Sequence, residues 1–234
     1  LINYNSSNNT SVKLGTRYIY HSNEYDDYYS SPGDTSSHVR HDKQYAGILN
    51  FTHVRDKIKH QLIIQPSRST RINRTSTTYE YDSERKKIEY LLNKKINNKF
   101  FIFFGSEYLK LDADMTGELA SKEVYSIFNE LRTKPTNSIG IEVSVRKEFN
   151  NHFDDYETGR LQTNVNISNE LKFKSSIGTG YRSPGMYELY SKLYGNKNLI
   201  PEKSLSIDFG LSYIPSNTSI NIAGEIFSNK IDDK

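Results

Sequence analysis

Two stretches of this chain change side-chain character at every residue, and that period decides what the chain can become. In 171–181, Leu171, Phe173, Ile177 and Tyr181 fall on one face, while Lys172, Lys174, Ser176 and Gly178 fall on the other. In 205–213, Leu205, Ile207, Phe209, Leu211 and Tyr213 share a face opposed by Ser206, Asp208, Gly210 and Ser212. A period of two is that of a β-strand, whose successive side chains point to opposite sides. Each stretch is about ten residues long, enough to cross a bilayer as a tilted strand.

The same period recurs along the chain. It predicts strands over 11–20, 43–54, 58–64, 84–92, 99–110, 122–132, 138–147, 160–168, 171–181, 205–213 and 218–228, with residues 1–5 as the tail of another. The alternation is poor in one place, because Phe100–Phe104 is apolar on both faces. A lumen-facing aromatic or an internal contact would account for that. The connections alternate: long at 21–42, 66–83, 111–121, 148–159 and 182–202, and short at 55–57, 93–98, 133–137, 168–170 and 214–217. An outer-membrane barrel keeps such parity, because its periplasmic turns are short and its extracellular loops long. The expected fold is therefore all-β, an antiparallel transmembrane β-barrel of about eleven strands with long extracellular loops and short periplasmic turns.

Composition agrees once the barrel is considered. Only 35% of residues are hydrophobic and mean hydropathy is −0.74. A lipid-embedded barrel needs apolar residues on its outer face alone, so its average looks water-soluble. No run of about 18 apolar residues marks a membrane helix. The chain has no Cys, which excludes disulfides and thiolate metal sites, and no Trp. Its 18 Tyr suit membrane interfaces and strands alike. A net charge of +3 gives no reason to expect nucleic acid. The six His form no nucleophile and base pattern of the kind a hydrolase needs, and the chain reads as a non-enzyme. Beginning at LINYN without Met or a leader, it reads as a piece of a longer protein.

Between the two clearest strands runs GTGYRSP, then YELY, then YGNKNLIPEKS. This resembles the C-terminal barrel signature of TonB-dependent outer-membrane receptors. The matching positions are Gly178, Tyr181, Arg182, Pro184, Tyr187, Glu188, Leu189, Tyr190, Asn196, Asn198, Leu199, Pro201, Glu202, Lys203 and Ser204. Pro184 and Pro201 fix φ, while Gly195 and the Asn residues tolerate turn geometry, so the motif is expected to shape a barrel corner. The resemblance implies residence in outer-membrane lipid, a barrel of roughly 22 strands around a plug, and partnership with the TonB energy-coupling complex. On that reading residues 1–234 are part of the barrel domain, and the plug and remaining strands lie outside it.

The first long connection reads SNEYDDYYSSPGDTS, similar to the matching loop of the cobalamin receptors within that family. There, acidic loop residues bind calcium. The resemblance assigns Asp26, Asp27 and Asp34 to calcium, although Asp27 stands where the family has a small residue. Calcium takes six to eight oxygens, so Glu24, Asp112, Asp114, Asp154 or Asp155 would have to contribute. Tyr25, Tyr28, Tyr29, Tyr187, Tyr190 and Tyr194 are the expected ligand-binding aromatics. The implied function is energised uptake of a scarce nutrient, cobalamin first and a ferric siderophore second. A passive porin shares the period and parity without the motif, and an adhesin or phage-docking surface would need only exposed loops. Lys172, Lys174, Arg146, Glu142 and Asp208 are expected to face the lumen as structural charges.

Overall fold

A computed structural model describes residues 1–7, 9–26, 38–75, 77–192, 194–216 and 218–232. Asp27, Tyr28, Tyr29 and Asp34 lie outside the described residues. The strands are β1 (Ile2–Ser7), β2 (Thr10–Tyr25), β3 (His38–Arg55), β4 (Ile58–Arg74), β5 (Thr78–Lys95) and β6 (Phe100–Met115). They continue as β7 (Leu119–Thr133), β8 (Ile139–Asn150), β9 (Tyr156–Asn166), β10 (Leu171–Arg182), β11 (Glu202–Tyr213) and β12 (Ile222–Asp232). One short helix, α1 (Met186–Tyr190), stands between β10 and β11. Every strand pairs antiparallel with its chain neighbour in a single sheet of twelve, open between β1 and β12. The twelfth strand is β1, the strand tail expected at the start.

Register separates two faces. Leu14, Leu49, Ile64, Ile88, Tyr108, Tyr125 and Phe149 form one unbroken cross-strand row from β2 to β8. Leu131, Val143, Leu161, Ile177 and Ile207 continue the same apolar face to β11. Many of these side chains are exposed, as lipid contact requires. One residue further along each strand, the opposite face carries the row Lys13, Asn50, Ile63, Glu89, Glu107, Ser126 and Glu148. Lys172, Lys174, Arg146, Glu142 and Asp208 share this polar face, as expected.

The polar face is knitted together at mid-height. Lys87 Nζ lies 2.8 Å from Glu89 and 2.9 Å from Glu107. Arg146 reaches Glu107 at 3.0 Å, Glu148 at 2.7 Å and the Ser126 hydroxyl at 2.8 Å. Beside them, Phe103 meets Phe128 at 5.7 Å between ring centres, with the Arg146 guanidinium over Phe128. The Arg132 guanidinium covers Phe101. The doubly apolar run Phe100–Phe104 is thus explained by luminal aromatics under cations.

Two of the expected loops are strand. β4 and β5 stay paired through most of 66–83 and turn only between Arg74 and Thr78. β6 and β7 remain paired through 111–121 apart from the tip between Met115 and Leu119. At about 3.3 Å per residue, an 18-residue strand such as β5 spans roughly 60 Å, twice the hydrocarbon core. The end that carries α1 therefore projects as paired hairpins, and only 183–201 stays a long connection there among the described residues. The opposite end turns tightly, as at Asp56 and Lys57, which both have positive φ. Paired positive φ values give the twist that a two-residue hairpin requires.

Candidate functional site

The motif residues are sorted by structure into a corner and an anchor. Arg182, at the end of β10, spreads its guanidinium between Glu202 and Glu188, each at 2.6 Å. The second oxygen of Glu188 accepts the Gly185 N–H at 2.6 Å, closing a capping box on α1. That N–H and, after it, Arg182 hold the Glu188 carboxyl below the usual carboxylate range. The Glu188 carbonyl accepts from Asn196 N–H at 2.8 Å, and the Asn196 side chain accepts from Asn198 N–H at 3.0 Å. Gly195 is required by space, because a Cβ there would stand 2.5 Å from the Ser191 carbonyl oxygen. Pro184 is buried, whereas Leu199 is exposed and Pro201 only half-buried. These contacts build a loop corner, the role expected of the motif.

α1 carries the anchor. It packs against β6 and β7, where Leu189 is 1% exposed and Ala113, Met115 and Val124 are also buried. With Pro184 they make a small buried apolar cluster among the described residues. Tyr187 turns the edge of its ring to Tyr81 of β5 at 5.7 Å, and the Tyr190 hydroxyl meets His152 at 2.8 Å. Tyr194 is largely exposed. The corner thus folds inward over the luminal wall.

The other motif residues gather beside β9. Tyr181 stacks on Tyr156 at 4.3 Å, and Lys203 Nζ lies 5.0 Å over the Tyr156 ring. By register Tyr181 and Lys203 have the parity of Ile177 and Leu205, while Tyr156 opposes the luminal Glu148 and the Tyr181 hydroxyl is buried without a hydrogen-bond partner. Gly178 instead lies on the luminal face beneath Arg160, whose Cγ would be 3.3 Å from a Cβ.

Above the membrane, the luminal face of β3–β5 presents groups that the sequence reading had placed in loops. Asp42 is held by Arg40 at 2.6 Å and by Arg71 at 2.8 Å. A cavity of about 300 Å³ is lined by Ser69, Arg71, Asn73, Tyr81, Met115 and Tyr187. The Asn73 side-chain amide oxygen is buried there without a hydrogen-bond partner. Serine, arginine and asparagine alternating along β4 were the available signal.

Tyr25 ends β2, 5.5 Å from the His38 ring across the ladder, and Asp26 follows it. Of the carboxylates suggested as its helpers, Glu24 stands in β2 two residues before it, and the others lie elsewhere. Asp112 and Asp114 belong to β6, four strands from β2, or roughly 19 Å along the sheet. Asp112 accepts from Ser121 and Asp114 from the Gly117 N–H. Asp155 accepts from the Asn150 N–H, beyond β8. Among the described residues, no three His, Asp or Glu side chains converge on a metal position.

Comparison with known proteins gives a consistent family. The family model for TonB dependent receptor-like β-barrels matches residues 2–234. A vitamin B12 transporter BtuB of Photobacterium profundum is 27% identical over 213 residues, covering 86% of this chain and 33% of that protein. A second BtuB, from Vibrio vulnificus, is 33% identical over 98 residues, 42% of this chain and 16% of that protein. The chain therefore spans about a third or less of these relatives. Among solved structures, the siderophore receptor PirA from Pseudomonas aeruginosa superposes with a TM-score of 0.85 at 12% identity, over 99% of this chain and 45% of that one. The copper transporter OprC superposes at 0.77 with 12% identity, over 98% of this chain and 44% of that one.

Proposed function

Because this chain belongs to the TonB-dependent receptors, integral proteins of the outer membrane, we propose that it is barrel wall of a receptor that imports cobalamin. The carrying observation is similarity to a vitamin B12 transporter across 86% of the chain. Transport is driven by the TonB complex acting through a plug domain, and the chain contributes no catalytic group. Ligand meets the aromatics Tyr25, Tyr28, Tyr29, Tyr187, Tyr190 and Tyr194, and the Tyr81 and Arg71 wall stands beside Tyr187. Calcium held by Asp26, Asp27 and Asp34 orders the first loop.

A ferric siderophore is the second reading, favoured by Arg40 and Arg71 on the luminal face, since ferric chelates are commonly anionic. Equilibrium binding of cyanocobalamin to the full-length receptor in detergent, with and without calcium, separates the two. Tight, calcium-dependent binding is expected. Absence of binding in both conditions overturns the cobalamin reading and leaves the family assignment standing.

A further inference from the structure

Lys122 of β7 is buried to 7% exposure on the luminal wall beside α1. Its ammonium donates to the Ser183 hydroxyl and lies 5.5 Å from the centre of the Phe153 ring. Among the described residues no carboxylate stands within ion-pairing distance of it. Glu148 acts on it from further away and is already bound to Arg146. A buried cation with one hydroxyl and one ring for partners is poorly compensated for its lost hydration.

The cover over this cation is a short peptide segment, 183–192, fastened by apolar and aromatic contacts and by no ion pair to the wall among the described residues. Leu189, 1% exposed, and Pro184 are its buried apolar side chains. Tyr187 meets Tyr81, Tyr190 touches His152, and Glu188 binds back to Arg182 at the segment's own root. The apolar anchor favours closure, and the hidden ammonium opposes it.

We infer that 183–192 is a strap that lifts from the luminal wall, and that Lys122 sets how often it does so. Closure strips water from the ammonium, and opening restores it. The strap then has two discrete positions, anchored or lifted, whose balance is biased by one charge. This behaviour does not depend on which nutrient is carried.

These 234 residues contain no Cys, so spin labels are placed in a full-length receptor from which any cysteine elsewhere has been replaced by Ser. Labels at Lys192→Cys on the strap and Leu119→Cys on the β6–β7 tip, both exposed positions, report the separation by electron–electron resonance in the full-length receptor. Two distance populations are expected. Lys122→Met should reduce the longer one roughly tenfold, while Lys122→Arg, which keeps the charge, should preserve it. Retained barrel folding is checked by the heat-dependent shift in gel mobility. A single short distance in the unmodified strap overturns the proposal. So does a Lys122→Met distribution unchanged or shifted to longer distance.

Discussion

Lys197 closes an ion pair of 2.5 Å with Glu118, a residue 79 positions earlier in the chain. One partner follows α1 in the long connection between β10 and β11, and the other sits at the tip of the β6–β7 hairpin. Lys197 holds the Glu118 carboxyl below the usual range, and the same ammonium lies 5.5 Å over the Tyr190 ring. Two distant extracellular elements are thereby joined by charge and by a ring. Both partners are largely exposed, so water and salt weaken the bond. Glu118→Gln is expected to raise amide exchange at residues 194–198 by roughly two- to fivefold and to leave barrel stability unchanged. Raising the salt concentration should produce the same increase in the unmodified protein. Hydrogen exchange followed by mass spectrometry reads both, and a drop in barrel stability would contradict the assignment of this pair as a local tether.

The capping box at α1 should carry a pH dependence of known sign. The Gly185 N–H, and next Arg182, stabilise the ionised Glu188 carboxylate and lower its pKa. The charged groups facing it are Arg182 and, across the guanidinium, Glu202. A lowered native pKa means that the contribution is complete above the ordinary value of about 4.3 and is lost as pH falls through the native value. The capping box itself should therefore persist through pH 5, whether the segment is anchored or lifted, and be lost only in more acidic solution. In a receptor labelled with 15N-glycine, the Gly185 amide resonance should titrate with a midpoint below about 4.3. Glu188→Gln should abolish the titration, and a midpoint above that value would contradict the geometry.

What could be read from the sequence follows from where water and lipid lie. Within the bilayer one face meets hydrocarbon and the other a polar lumen, so Ile177 and Gly178 announce the strand by contrast. Above the bilayer both faces are wet and the contrast disappears. That is why Ser67–Asn73 and Tyr79–Ser83 read as loop although they are paired strand. The motif's role as a corner was legible from its Pro, Gly and Asn residues. The burial of Leu189 was not, because a five-residue helix is too short to show a period. Luminal charges followed from parity alone, but their partners did not. Arg146 meets Glu107, 39 residues away, and only strand register brings such residues together.

The luminal aromatic seat gives a sharper test of the barrel wall. Gly105 of β6 is buried, and a Cβ at this position would lie 2.1 Å from the Phe128 ring. Phe128 therefore lies across a glycine, pressed between the β6 backbone and the Arg146 guanidinium. This arrangement covers a strand glycine with an aromatic from the neighbouring strand. Gly105→Ala would force the ring aside and disturb the stacked arginine, which also serves Glu107 and Glu148. The expected cost is about 1–3 kcal/mol, read as a lowered urea midpoint for the full-length barrel in detergent. Phe128→Ala should also destabilise, by lost packing. Combined with Phe128→Ala, Gly105→Ala should cost little more, because the atom it collides with is gone. The two changes should therefore be non-additive by more than about 1 kcal/mol. Simple additivity would show that Phe128 does not occupy the glycine seat.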